Sequence, residues 1–198
     1  MKKLIFIDTE TTGVDTETAG VWQIGGIIRC GKRREEFQFE CDIFEGDQFE
    51  ESATGVTGIT LAKLETLPDP KDVYDQFIAL LDKYVDRYDK KDKFIAVGYG
   101  AEFDQKILRS WFEKNDDDYF GSWFWHPWLC MMNAVAFRYQ DKRDTFPNFK
   151  LQTVMEHLGL ENSGKFHEAI IDAEAAEAIY DHLANGIESL GMEEDVPF

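Results

Sequence analysis

Leu4-Ile5-Phe6-Ile7 is a short apolar run closed by the turn residues Thr11, Thr12 and Gly13. A run of this length, rich in β-branched and aromatic residues, predicts a buried strand. Trp22–Arg29 and Glu36–Cys41 read as two further strands, and Gly31 with its basic neighbours makes the turn between them. An antiparallel meander follows. Spacing then turns helical: Phe77, Leu80, Leu81 and Tyr84 share one face of a helix expected over Pro70–Tyr88. Phe94–Val97 is another short strand, followed by a helix over Ala101–Phe112 with Phe103, Ile107, Leu108 and Trp111 on one side. A long Ala/Ile/Glu stretch from about Glu168 to Leu183 is helical in composition. This order predicts an α/β domain with a mixed, mainly five-stranded sheet flanked by helices. The division expected is one domain over 1–184 and an acidic tail over 185–198, with no internal repeat.

Three windows add chemistry. Asp8 and Glu10 stand two apart at the C-terminal end of the first strand, so period-two geometry points both at one face. Two like charges on a buried face are costly unless a cation or a shared proton relieves them. Asp104 follows Phe103 in the first turn of a helix, where negative charge is tolerated. Taken alone, it reads as a dipole-complementing residue. His167 and Asp172 lie five apart, about 140° around a regular helix. They meet only if His167 sits on the preceding loop (Gly164-Lys165-Phe166) or a fraying first turn and folds back. His126, His157 and His182 are assigned structural roles. Four carboxylates and one imidazole are what a two-metal phosphodiester hydrolase needs, because paired divalent cations clamp the attacking and leaving oxygens. Hard cations of that kind prefer carboxylate oxygen.

In sequence order these windows are D-x-E (Asp8, Glu10), F-D (Phe103, Asp104) and H-x-A-x-x-D-A (His167 to Ala173). Together they resemble the DEDDh exonucleases, the RNase H-like family that includes proofreading 3′–5′ exonucleases, RNase T and oligoribonuclease. Val56–Thr60 and Leu151–Met155 resemble its connecting segments, so the likeness spans roughly residues 4 to 183. The resemblance implies that Asp8, Glu10, Asp104 and Asp172 bind two Mg²⁺ or Mn²⁺ ions. It implies that His167 is the general base toward the attacking water, and that Phe103 with backbone near Thr11 and Thr12 holds the 3′-terminal nucleotide. The function implied is 3′–5′ exonuclease action on single-stranded DNA. Trimming of RNA is the second reading, since no reader of the 2′-hydroxyl is identifiable. A silent binding module is third, disfavoured by the complete set of acids and base. Two departures stand out: Gly100 occupies the usual Asn position four residues before Asp104, and Cys130-Met131-Met132 replaces a common Asp-Thr pair.

Composition narrows the binding mode. A net charge of −18 has the wrong sign for a tight nucleic-acid binder, whose affinity rests on Lys and Arg at phosphates. Local basic clusters (Arg29 with Lys32 to Arg34, Lys90 to Lys93, Lys142 and Arg143) offer local guidance only, so weak, distributive binding is expected. Tyr119–Trp128 is unusually aromatic and reads mainly as packing, with one or two rings able to stack on bases. Three cysteines without disulfide or metal spacing fit a reducing, cytoplasmic setting, and no apolar run reaches membrane-spanning length. The terminal Glu193-Glu194-Asp195-Val196-Pro197-Phe198 resembles the tip of bacterial single-stranded DNA-binding proteins. That resemblance implies a protein partner whose apolar pocket takes Phe198 while Arg or Lys meets the carboxylates of Asp195 and its neighbours, with Val196 and Pro197 between them.

Overall fold

The computed structural model describes the chain apart from residues 52–54, 56, 162–163, 165–166 and 189–198, and the side chains of 187 and 188. Val56, Lys165, Phe166 and the terminal Asp195–Phe198 motif therefore lie outside the described residues. Five strands form one mixed sheet: β1 (Lys3–Thr11), β2 (Val21–Cys30), β3 (Arg33–Glu40), β4 (Ile95–Gly98) and β5 (Leu129–Cys130), in the order β3-β2-β1-β4-β5. The first three pair antiparallel, as the meander requires, while β1–β4 and β4–β5 are parallel. The expected sheet is thus the observed one.

Between and after the strands come α1 (Leu61–Leu64), α2 (Pro70–Asp82), α3 (Glu102–Lys114), α4 (Phe120–Trp123), α5 (Met131–Arg138), α6 (Leu151–Leu158) and α7 (Ala169–Glu188). Thr60 caps α1, and Asp69 caps α2 just ahead of Pro70 at its first position. Helix α2 stops six residues short of the expected Tyr88. Both Tyr84 and Val85 turn inward there, and the Asp86 N–H donates to the Asp92 carboxylate at 3.0 Å, which closes a turn instead of another helical one.

Alternation along β1 divides the core in two. Ile5, Ile7, Ile24 and Ile28 face α2 and α3, where Phe77, Leu81, Leu108, Trp111 and Phe112 fill the layer. Leu4, Phe6 and Ile27 face the opposite way, onto Val135, Val154, Ala173, Ala176 and Ile179 of α5, α6 and α7. A small third cluster joins Trp22 to Ile59 and Leu64. The aromatic segment is mostly core, with Phe120, Trp123, Phe124 and Trp128 buried. Trp125 and Tyr119 are exposed, but the Trp125 N–H bonds the Phe94 carbonyl beside the start of β4. That is the opposite end of the strand from Gly98.

Candidate active site

The parallel pair β1 and β4 ends at one edge of the sheet, and the predicted residues gather there. Strand β1 extends to Thr11 because β2 is long enough to pair with all of it, so Asp8 and Glu10 lie inside the strand. Both point to the α7 face, as two-residue spacing demands. Asp104 arrives from the first turn of α3 on the other face. Its Oδ1 accepts from the Thr9 N–H at 3.1 Å and from the Thr9 hydroxyl at 2.8 Å. Thr9 was not singled out from sequence, where it reads as a turn residue. Its position between two acids puts it on the opposite face of the strand, which is why it meets the helix those acids do not.

His167 and Asp172 come from the start of α7. His167 precedes the helix by two residues, is exposed, and adopts a left-handed backbone with φ of 73°. This is the fold-back that the five-residue spacing required. Ligand atoms of Glu10, His167 and Asp172 all lie within 4.8 Å of one another. Glycine makes this approach possible. Gly25 lies directly across from Asp8 in the β1–β2 register, and a Cβ there would fall 2.3 Å from the Ile170 nitrogen and 2.6 Å from the Ala169 carbonyl carbon. The first turn of α7 rests on bare backbone. The Gly25-Gly26 doublet inside a strand was the available signal, since strand glycine often marks close approach of another segment.

The electrostatics of the cluster are those of crowded, uncompensated acids. Burial, then Asp104, Asp172 and Glu10, push the Asp8 carboxyl well above its ordinary range. Glu10 is pushed up to about 8 by burial and then by Asp172 and Asp104. Asp104 rises to about 7, mainly by burial, although its hydrogen bonds from Thr9 oppose the shift. Asp172 rises to about 6 by burial, against the His167 backbone N–H. Asp172 Oδ1 is buried without a hydrogen-bond partner. A hard divalent cation fits this donor set: it would relieve the repulsion and satisfy the orphaned oxygen.

At the start of α3 opens a cleft of about 570 Å³ lined by Val14, Gly100, Phe103, Met132 and Asn133, among others. Gly100 has φ of 77°, and a Cβ there would meet nothing within 4 Å, so the position faces open space. Thr11 donates its hydroxyl to the Gly13 carbonyl at 2.7 Å. Thr12 is fully buried: its N–H donates to Gly20, its carbonyl accepts from Glu50 N–H, and its hydroxyl bridges Gln48 and Gly20. It braces the loop beneath Thr11. The other histidines have structural partners: Gln105 for His126, Tyr139 for His182 and Thr145 for His157.

The exonuclease (RNase T) family profile matches residues 5–180. The chain belongs to the exonuclease family. Among similar proteins, PolC-type DNA polymerase III of Thermotoga petrophila is 24% identical over 189 residues, and that of Thermotoga maritima shares the same identity. Each match covers 95% of this chain but only 12% of the polymerase. The fold is that of E. coli exonuclease I in complex with a dT13 oligonucleotide, with a TM-score of 0.76 at 19% identity over 96% of this chain and 42% of that one. A zinc-ion-bound form of the E. coli exonuclease I complex with single-stranded DNA gives 0.73 at 18% identity, over 96% and 43%. This chain therefore spans under half of those enzymes and about an eighth of the polymerases. The mixed sheet with flanking helices is the RNase H-like exonuclease fold expected from the sequence.

Proposed function

We propose that this exonuclease removes nucleotides stepwise from the 3′ ends of single-stranded DNA. The observation that carries the reading is the grouping of Glu10, His167 and Asp172 within 4.8 Å of one another, with Asp172 Oδ1 buried and without a partner, and with Asp8 and Asp104 near enough to be felt electrostatically. The similarity to PolC-type polymerases and to exonuclease I with bound oligonucleotides supports the choice of DNA. These four acids would hold two Mg²⁺ or Mn²⁺ ions, which when bound supply charge neutralisation at the phosphate and at the departing oxygen. His167 takes the proton of the attacking water, and its exposed position lets it return that proton to solvent. Phe103, partly buried at the cleft wall, and the backbone near Thr11, braced by Thr12, hold the terminal nucleotide.

The domain of residues 1–184 carries this chemistry in our reading, and residues 185–198, the first four of which complete α7, carry a docking tip. Asp195, Val196, Pro197 and Phe198 bind a protein that recognises the tip of single-stranded DNA-binding proteins. Three free thiols and the lack, among described residues, of a helix able to cross a membrane support a cytoplasmic setting.

The test is an assay of end-labelled single-stranded DNA and RNA of matched sequence, with Mg²⁺ or Mn²⁺. Stepwise shortening from the 3′ end is expected, faster on DNA. Asp8→Ala should reduce it to background, and His167→Ala by about 10²- to 10⁴-fold. Faster loss of RNA would overturn the choice of polymer, and cleavage of neither would overturn the reading itself. Deleting Val196–Phe198 should abolish partner capture and leave the rate on free strands unchanged; capture that survives the deletion would end the docking proposal.

A further inference from the structure

We propose that Gln23, oriented by Glu40, is a positioning residue that fixes where α7 sits along the sheet, and so brings Asp172 and His167 to Asp8 and Glu10. The inference rests on the exonuclease reading of the same site and adds two residues to it.

The register places Glu10, Gln23 and Glu40 in one row across β1, β2 and β3, on the face that α7 covers. Gln23 is 3% exposed, unusual for a polar side chain on a sheet face that also carries the buried Glu10. Its Oε1 accepts from the Ala169 N–H at 2.9 Å, and its Nε2 donates to Glu40 Oε1 at 3.0 Å. The orientation is unambiguous. A backbone N–H only donates, so Ala169 must meet the amide oxygen of Gln23, which leaves the amide nitrogen to donate to Glu40.

Ala169 N–H belongs to the first turn of α7, where backbone donors have no partner within the helix. It lies two residues after His167 and three before Asp172. The Gly25 contact and the Gln23 bond divide the task between them. Close packing on Gly25 sets how near the helix lies to the sheet, but a van der Waals contact resists sliding weakly. A directional bond from a buried amide fixes the helix along the strand, at the level of Glu10 rather than a residue above or below.

Replacing Gln23→Met keeps length and burial and removes both hydrogen bonds. It should lower kcat about tenfold to a hundredfold with KM for the strand nearly unchanged. It should also weaken Mn²⁺ binding, measured calorimetrically without substrate, by about the same 10–100-fold. The exchange Gln23→Glu with Glu40→Gln should recover both quantities to within a few-fold. The carboxylate at position 23 then accepts from Ala169 N–H and from the amide at position 40. Should Gln23→Met fail to fold, Glu40→Met at the more open end of the row reports the same direction with a smaller loss. Mn²⁺ affinity and kcat within twofold of the parent in the folded variant would overturn the proposal, as would an exchange that recovers neither. A parent that binds Mn²⁺ yet cleaves no polymer would sink the exonuclease reading instead, and the calorimetry would still judge Gln23.

Discussion

Glu10, Asp104 and Asp172 hold their protons to about pH 8, 7 and 6, whereas the same groups in an unfolded chain ionise in the ordinary carboxylate range. The folded metal-free protein therefore binds more protons than the unfolded one between those limits, and its stability falls as pH rises through them. Their contribution is fully present below the ordinary carboxylate pKa and is gone above about pH 8. Divalent cations compete with those protons. The rise in Tm on adding Mn²⁺ to chelator-treated protein should accordingly be larger at pH 8.5 than at pH 5.5. A gain in Tm independent of pH, followed by circular dichroism, would refute cation binding by these acids. The five candidate site residues were read from three motifs taken together and the resemblance those motifs carry, since Asp104 alone reads as a dipole-complementing acid and His167 with Asp172 does not share a helix face. Thr9 and Gln23 were not. Their work lies in hydrogen bonds to residues 95 and 146 positions away, which no local pattern encodes.

Apolar alternation and helical spacing located β1 to β4, α2, α3 and α7 but gave no place to β5, α5 or α6, and for the located elements the errors fell at their ends. Strand β1 gained the residues from Asp8 to Thr11, because pairing with β2 outweighs the polar character of DTET. Helix α2 lost Lys83 to Tyr88, because the Asp86 and Tyr88 N–H groups bond the carboxylates of Asp92 and Asp86 instead of carbonyls one turn back. Neither boundary is written in local propensity. The seat of α7 on β2 makes a sharper claim. Gly25→Ala inserts a methyl where backbone already stands, at a cost typical of overpacking, about 1–3 kcal/mol. Urea denaturation should read that loss, and activity should drop further than stability because the helix that moves carries His167 and Asp172. Parent-like unfolding and rates would show that the sheet and α7 can separate without consequence. Gly121→Ala, where a Cβ meets nothing within 4 Å, serves as the comparison.

Across the whole molecule, acid dominates, and three of the sequence-predicted basic guides, Arg29, Arg33 and Arg34, are held in ion pairs. Arg29 pairs with Asp181 and Glu177, and Arg34 with Glu36 and Glu177. With 39 Asp and Glu against 21 Lys and Arg, a net charge of −18 opposes the approach of a phosphate backbone. Binding of a single-stranded oligonucleotide by the slow His167→Ala variant, followed by fluorescence anisotropy, should weaken less than about tenfold between 50 and 200 mM salt. A protein with six to ten phosphate contacts loses about 10³–10⁵ over the same range, and a loss of that size would mean a basic track exists after all. The charge balance was plain from composition; which arginines are spent was not, since Arg29 and Arg34 find partners on α7, at the far end of the sequence. That distance has a temporal side. Asp8 leaves the ribosome some 160 residues ahead of His167 and of the helix that bears Asp172. A nascent chain can therefore fold its meander and still have no site, so that interrupted translation yields fragments unable to degrade nucleic acid.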